Sequence, residues 1–171
     1  MAGIDPSLAV ADAGPIIHLD ELGAVDLLGD FGTVLVPREV WDEVVRHRPR
    51  LAPDGVPGGC LVDVPGIPSP KLRALIDSFR LDAGETAALT LIEARRAQLF
   101  LCDDAAARLA AESLGFPVHG TIGVLVRSIR RAMRSREQVL EILRGVPQAS
   151  TLHISGRLLS TIIATVEHEP R

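Results

Sequence analysis

Tyrosine is absent from this chain, and aromatic residues make up only 3% of it. A platform of stacked aromatic rings for nucleobases is therefore not expected. Lysine occurs once, as Lys71, among 18 basic residues set against 22 acidic ones, for a net charge of −4. There is no basic blanket of the histone kind, so any contact with nucleic acid must come from a local patch. Cys60 and Cys102 are the only cysteines. Two are too few for a disulfide scaffold, and neither has a Cys or His at zinc-site spacing, so both read as ordinary structural thiols. No apolar run reaches the ~18 residues of a membrane-spanning helix. The opening MAGIDPSLAV lacks the charged and apolar regions of a signal peptide. These absences set the expectation of a cytoplasmic protein with no membrane contact. Also missing are a phosphate-binding loop ending in Gly-Lys-Ser/Thr, Gly-x-Gly-x-x-Gly, Gly-x-Ser-x-Gly and His-Glu-x-x-His.

What is present is 171 residues that are 47% hydrophobic, enough for one sizeable core. Leu8–Ala11, Thr33–Val36, Leu99–Cys102 and Pro117–His119 are short apolar runs that read as strands. Helical patterns separate them: one or two short helices across 16–28, then Pro37–Arg46, Lys71–Phe79 and Asp82–Ala97. Further helices follow from Asp103 or Asp104 to Gly115 and from Gly120-Thr121 through Arg134. Glu137–Arg144 is helical until Gly145-Val146-Pro147 breaks it, and Ser155 caps a last apolar-striped helix. Residues 47–70 hold six Pro and four Gly and read as a long surface loop, with room for a short strand at Cys60–Val64. Alternating strands and helices predict an α/β fold: a mainly parallel sheet of four to five strands with helices on both faces. The expected organisation is a domain over 1–145 and a carboxy-terminal helix unit over 146–171. That unit packs on the domain or forms an oligomer contact.

Ligands of such sheets bind outside the carboxyl ends of the strands. Asp12 directly follows the first strand, and Asp103 and Asp104 directly follow Leu99–Cys102. Glu43 lies two turns into the helix after the second strand. Glu85 opens its helix on the face of Ala88, Leu89 and Ile92. Parallel strands bring these acids to one edge, where they repel each other and raise each other's pKa. A hard divalent cation, Mg²⁺ or Mn²⁺, resolves that conflict and suits phosphodiester hydrolysis. Structural uses compete: Asp82-Ala83-Gly84-Glu85 is a capping box, and Asp103 or Asp104 can cap a helix. Arg127, Arg130, Arg131 and Arg134 recur at helical spacing opposite Ile122, Leu125, Val126, Ile129 and Met133. This pattern predicts a cationic outer stripe for RNA phosphates or a merely solvated face. Thr121 is expected either to cap that helix or to help hold a phosphate at its amino terminus. The five histidines are expected to be satisfied core or surface residues.

The segments VADAGPIIHL (10–19), VLVPREVWDEVV (34–45), LDAGETAALTLI (81–92), LFLCDDAAARLAAESLGFPVHGTIGVL (99–125) and HISGRLL (153–159) cover most of the chain. In that order they resemble the PIN-domain family, and more closely its VapC-like branch of toxins in toxin–antitoxin pairs. The resemblance implies a PIN-like fold and a Mg²⁺/Mn²⁺-dependent endoribonuclease that hydrolyses RNA with metal-activated water. It places Asp12, Glu43, Glu85 and Asp103 as the catalytic, metal-binding acids and Asp104 as an accessory ligand. It implies a small antitoxin protein as partner, and the expected oligomer is a homodimer. One departure stands out. Relatives commonly carry Asp-Thr-Ser or Asp-Ser-Ser after the first strand, where this chain has Asp12-Ala13-Gly14 and so lacks the hydroxyl. A PIN module that binds RNA or a partner without cleavage is the alternative that this departure suggests. A phosphoacceptor receiver domain needs a Lys after a late strand, and Lys71 lies in the wrong place.

Overall fold

The computed structural model describes residues 7–168, so the outermost residues of the opening segment and of the 146–171 unit lie outside the described residues. Its centre is Leu8–Ala11 (β1), an almost wholly buried run, as expected for a strand covered on both sides. On one side β1 pairs in parallel with Thr33–Pro37 (β2), and β2 with Gly59–Val62 (β3). On the other side it pairs with Leu99–Leu101 (β4), and β4 with Val118–His119 (β5). The result is a five-stranded, all-parallel sheet in the order β3-β2-β1-β4-β5. The short strand anticipated in the Pro- and Gly-rich loop is β3. Gly58, at φ +72°, lets that loop close on β2: its carbonyl accepts the Val34 N–H at 2.8 Å, and a Cβ there would lie 2.1 Å from the Gly32 oxygen.

Helices flank the sheet. Ala13–Glu21 (α1) follows β1, and Arg38–His47 (α2) follows β2, burying Val40, Trp41 and Val44. Pro70–Phe79 (α3) starts on Ser69, whose hydroxyl accepts the Leu72 N–H. Ala83–Arg95 (α4) starts on the Asp82/Glu85 capping box and packs against β1, β2 and α2. Ala105–Ser113 (α5) is capped by Asp104. Thr121–Arg130 (α6), Arg136–Ala149 (α7) and Gly156–His168 (α8) complete the chain, with α7 packed between α6 and α8.

Two helix ends differ from expectation. α7 passes through Pro147 to Ala149 instead of breaking at Gly145. A proline this near a carboxyl end removes only one intrahelical hydrogen bond, and fully buried Val146 holds the last turn in place. α6 stops at Arg130, four residues early, because Ala132 turns left-handed (φ 55°). The Met133 N–H then reaches the Ser128 carbonyl and the Ala132 N–H that of Ile129, closing the helix in a Schellman motif.

That stop rearranges the arginines, and the outer cationic stripe is corrected. Arg127 points inward: it is 7% exposed, donates to Asp30 at 2.6 Å and lies 5.2 Å from the centre of the Phe31 ring. Arg131 donates to the other oxygen of Asp30 at 2.7 Å, and Arg134 grips both oxygens of Asp26. Asp26, Asp30 and Phe31 belong to a 3₁₀ segment, Val25–Phe31. Three of the four arginines therefore clamp this segment to α6 and the turn behind it. Asp30→Ala removes the acceptor that Arg127 and Arg131 share while leaving a guanidinium buried. It is expected to lower stability by about 3 kcal/mol, read as a fall in the urea midpoint at unchanged m-value.

Candidate functional site

β1 and β4 are neighbours in the sheet but lead away in opposite directions, β1 toward β2 and β4 toward β5. Their carboxyl ends therefore form a topological switch point, where α/β sheets open a crevice. The register is Ala11 opposite Leu101, and the Asp12 N–H donates to the Leu101 carbonyl at 2.9 Å, extending the ladder by one bond. Asp12 leaves one strand and Asp103 the other at this shared end. A cleft of about 480 Å³ opens there, lined by Asp12, Asp103, Asp104, Glu43 from α2, Glu85 from α4, and Asp82. All five acids singled out in the sequence thus share one cleft.

Their circumstances differ. Asp12 stands with extended backbone immediately before α1, makes no side-chain cap there, and is 7% exposed. Its Oδ2 accepts from the Cys102 Sγ at 3.7 Å, while its Oδ1 is buried with no hydrogen-bond partner. Burial pushes its carboxyl up to about 7; the Ala13 N–H opposes this, and the charges of Glu43 and Asp82 add to it. Burial, with the Asp12 charge beside it, also pushes the Cys102 thiol up, so that it stays protonated.

Glu85 serves two purposes at once. Its Oε2 accepts the Asp82 N–H at 2.9 Å, completing the capping box, and the half-buried carboxyl still lines the cleft. Burial pushes it up to about 7; the Asp82 N–H opposes, and the charges of Asp82, Asp104 and Asp12 add. Glu43 stands across from Gly84, where a Cβ would come within 3.6 Å of its Oε2. Asp104 Oδ1 accepts two N–H groups of α5, at 2.8 and 2.9 Å.

Asp103 is the most tightly held. Its Oδ1 accepts the Thr121 N–H at 2.7 Å, and its Oδ2 accepts the Thr121 hydroxyl at 2.6 Å and faces His18 Nδ1 at 2.8 Å. Thr121 therefore neither caps α6, whose cap residue is Gly120, nor reaches a phosphate, since it is wholly buried. Its hydroxyl is committed to an acid. His18, read from sequence as a satisfied bystander, lines the cleft with an acid for partner. Asp82 and residues 151–153, which sequence reasoning also missed, line the same cleft. The one available signal for His18 was its i, i+4 relation to Gly14, which puts both on one face of α1 close behind Asp12.

A family model described as a PIN domain matches residues 8–168. The chain belongs to the PIN-domain family. PIN domains are generally nucleases that depend on a divalent metal and bind RNA. No curated protein matches the chain. The fold expected from that resemblance is the fold observed, with every strand of the sheet parallel.

The residues of this PIN domain fit a hard divalent cation by chemistry. Six carboxylates line one cleft, and the buried Asp12 Oδ1, unpartnered among the described residues, calls for a donor or a positive charge that none of them supplies. The cage is open, however: among the described residues, no three His, Cys, Asp or Glu side chains already stand together as a metal-holding group.

The raised pKa of Asp12 makes a sign-definite prediction. An acid whose folded pKa lies above its unfolded value stabilises the fold at low pH and loses that contribution as pH rises through the folded value. The metal-free protein is thus expected to lose stability between about pH 4 and pH 7, with a ceiling of about 4 kcal/mol from Asp12. Glu85 acts in the same direction. Asp12→Asn is expected to flatten this loss, as measured by urea unfolding at pH 5 and pH 8.

Proposed function

We propose that this PIN domain is a Mg²⁺- or Mn²⁺-dependent endoribonuclease whose working acids are Asp12, Glu43, Glu85 and Asp103, assisted by Asp104. The observation that carries this reading is the shared cleft, with the buried orphan oxygen of Asp12 at its base. A cation held there supplies charge neutralisation at the phosphodiester and activation of water. The protein's part is positional. Asp12 and Asp103 are placed by the strand ends, and Glu43 and Glu85 enter from α2 and α4. Single-stranded RNA is the substrate whose backbone enters such a cleft. Of the predicted RNA contacts, Arg130 is exposed, Arg131 is exposed but bonded to Asp30, Arg134 is bonded to Asp26, and Arg127 and Thr121 are buried. Burial and then the charges of Arg127, Arg130 and Arg108 lower the His119 pKa, and Arg130 and Arg108 give that flank a positive edge for phosphates. In this reading residues 1–145 form the nuclease domain and 146–171 a carboxy-terminal helix unit that packs on the domain or forms an oligomer contact.

Purified protein with Mn²⁺ is expected to cut single-stranded RNA and to stop on chelation with EDTA. Asp12→Asn and Asp103→Asn are each expected to slow cleavage by on the order of 10²-fold or more. Equal cleavage by all three proteins points to a contaminating nuclease and removes the proposal. A second reading, an RNA-binding module without cleavage, is favoured by the structural hydrogen bonds that Glu85, Asp103 and Asp104 already hold. Cleavage that depends on Asp12 eliminates it.

The biological role we propose is that of a VapC-like toxin, acting as a homodimer and silenced by a small antitoxin protein. The resemblance of the five segments supports it. Expression of the chain is then expected to arrest growth, and co-expression of the neighbouring reading frame to restore it.

A further inference from the structure

We infer that His18 is a positioning residue: its Nδ1–H, together with Thr121, locks Asp103 in the orientation from which it serves the cleft. The inference rests on the nuclease reading for what Asp103 does, but its geometry is independent of that reading. Asp103 and His18 have side chains only 13% and 14% exposed, and their contact is 2.8 Å. An ionised carboxylate only accepts hydrogen bonds, so the nitrogen facing it carries the hydrogen. This sets the His18 tautomer with hydrogen on Nδ1. A carboxylate has about four lone-pair sites. Thr121 N–H, Thr121 Oγ–H and His18 Nδ1–H occupy three, leaving about one for the cleft.

The surroundings are shaped around this arrangement. At Gly14 a Cβ would lie 3.4 Å from Asp103 Cβ and Oδ2 and 3.6 Å from His18 Cε1, in van der Waals contact with both members of the pair. At Gly120 a Cβ would lie 2.6 Å from Asp103 Oδ1, so the carboxylate would have to leave its position. The two glycines let backbone and imidazole approach one carboxylate from two sides. The chain has no hydroxyl at positions 13 and 14, and the hydroxyl in contact with Asp103 belongs to Thr121 instead.

Amide isosteres separate the two ring nitrogens. An Asn at 18 places its amide nitrogen near the Nδ1 position, and a Gln places its own near Nε2. The test compares wild type with His18→Asn, His18→Gln and His18→Leu. Three readouts are taken: Mn²⁺ affinity by electron paramagnetic resonance, kcat and KM for RNA cleavage, and thermal midpoint. In wild type, ¹⁵N NMR of the metal-free protein is expected to show His18 with hydrogen on Nδ1. His18→Leu and His18→Gln are expected to weaken Mn²⁺ binding by roughly 10–100-fold and to lower kcat with little change in KM. His18→Asn is expected to stay near wild type in both. Two results overturn the inference: Mn²⁺ affinity unchanged in His18→Leu, or affinity kept by His18→Gln and lost by His18→Asn. The second makes Nε2 the working atom. A wild type that neither binds Mn²⁺ nor cuts RNA instead brings down the nuclease reading and this inference together.

Discussion

The parallel pairing of β1 with β4 is the constraint on which the molecule turns. Two strands separated by some ninety positions in sequence meet with Ala11 opposite Leu101, and one more bond, from the Asp12 N–H to the Leu101 carbonyl, carries the ladder past the strand end. Because the strands are parallel, both chains leave at the same edge. Because β1 leads toward β2 and β4 toward β5, the helices that follow diverge and leave a crevice. A one-residue slip would turn Asp12 to the opposite face of the sheet.

A cleft built in this way concentrates negative charge, and the protein contains that charge unevenly. Asp103, Asp104 and Glu85 are each stabilised by hydrogen bonds that also serve the fold: a clamp from Thr121 and His18, a cap on α5, a capping box on α4. Asp12 has the opposite character. It is the most buried of the acids, one of its oxygens has no partner, and its carboxyl is pushed up to about 7. Three acids held by protein bonds and one left in electrostatic tension is an arrangement that a cation relieves chiefly at Asp12. The arginines lie mostly elsewhere. Arg127, Arg131 and Arg134 spend their charge on Asp26 and Asp30, so the positive face available to a polyanion is smaller than their spacing suggests.

Periodicity and punctuation are local properties, and they were legible. Val34-Leu35-Val36 and Leu99-Phe100-Leu101 read as buried strands because nothing in them tolerates water. Asp82 and Glu85 read as a capping box because the motif closes within four residues. Even β3 showed through six prolines. Where local rules compete with packing they misled. Pro147 signals a break, but buried Val146 keeps α7 going. Arg127 has the polarity of a surface residue, but α6 turns it toward Asp30, a partner 97 positions away.

By itself the sequence determined the layered α/β architecture, the strand order of acids and the fact that they would need one another's company, because these follow from hydrophobic pattern and from where charge directly follows a buried run. Only the tertiary structure decided which acid is left unsatisfied, which residue holds Asp103 and where the arginines point. Those outcomes depend on contacts between segments roughly a hundred residues apart, and a side chain's partner at that distance is set by the packing of whole elements, to which no local pattern gives access.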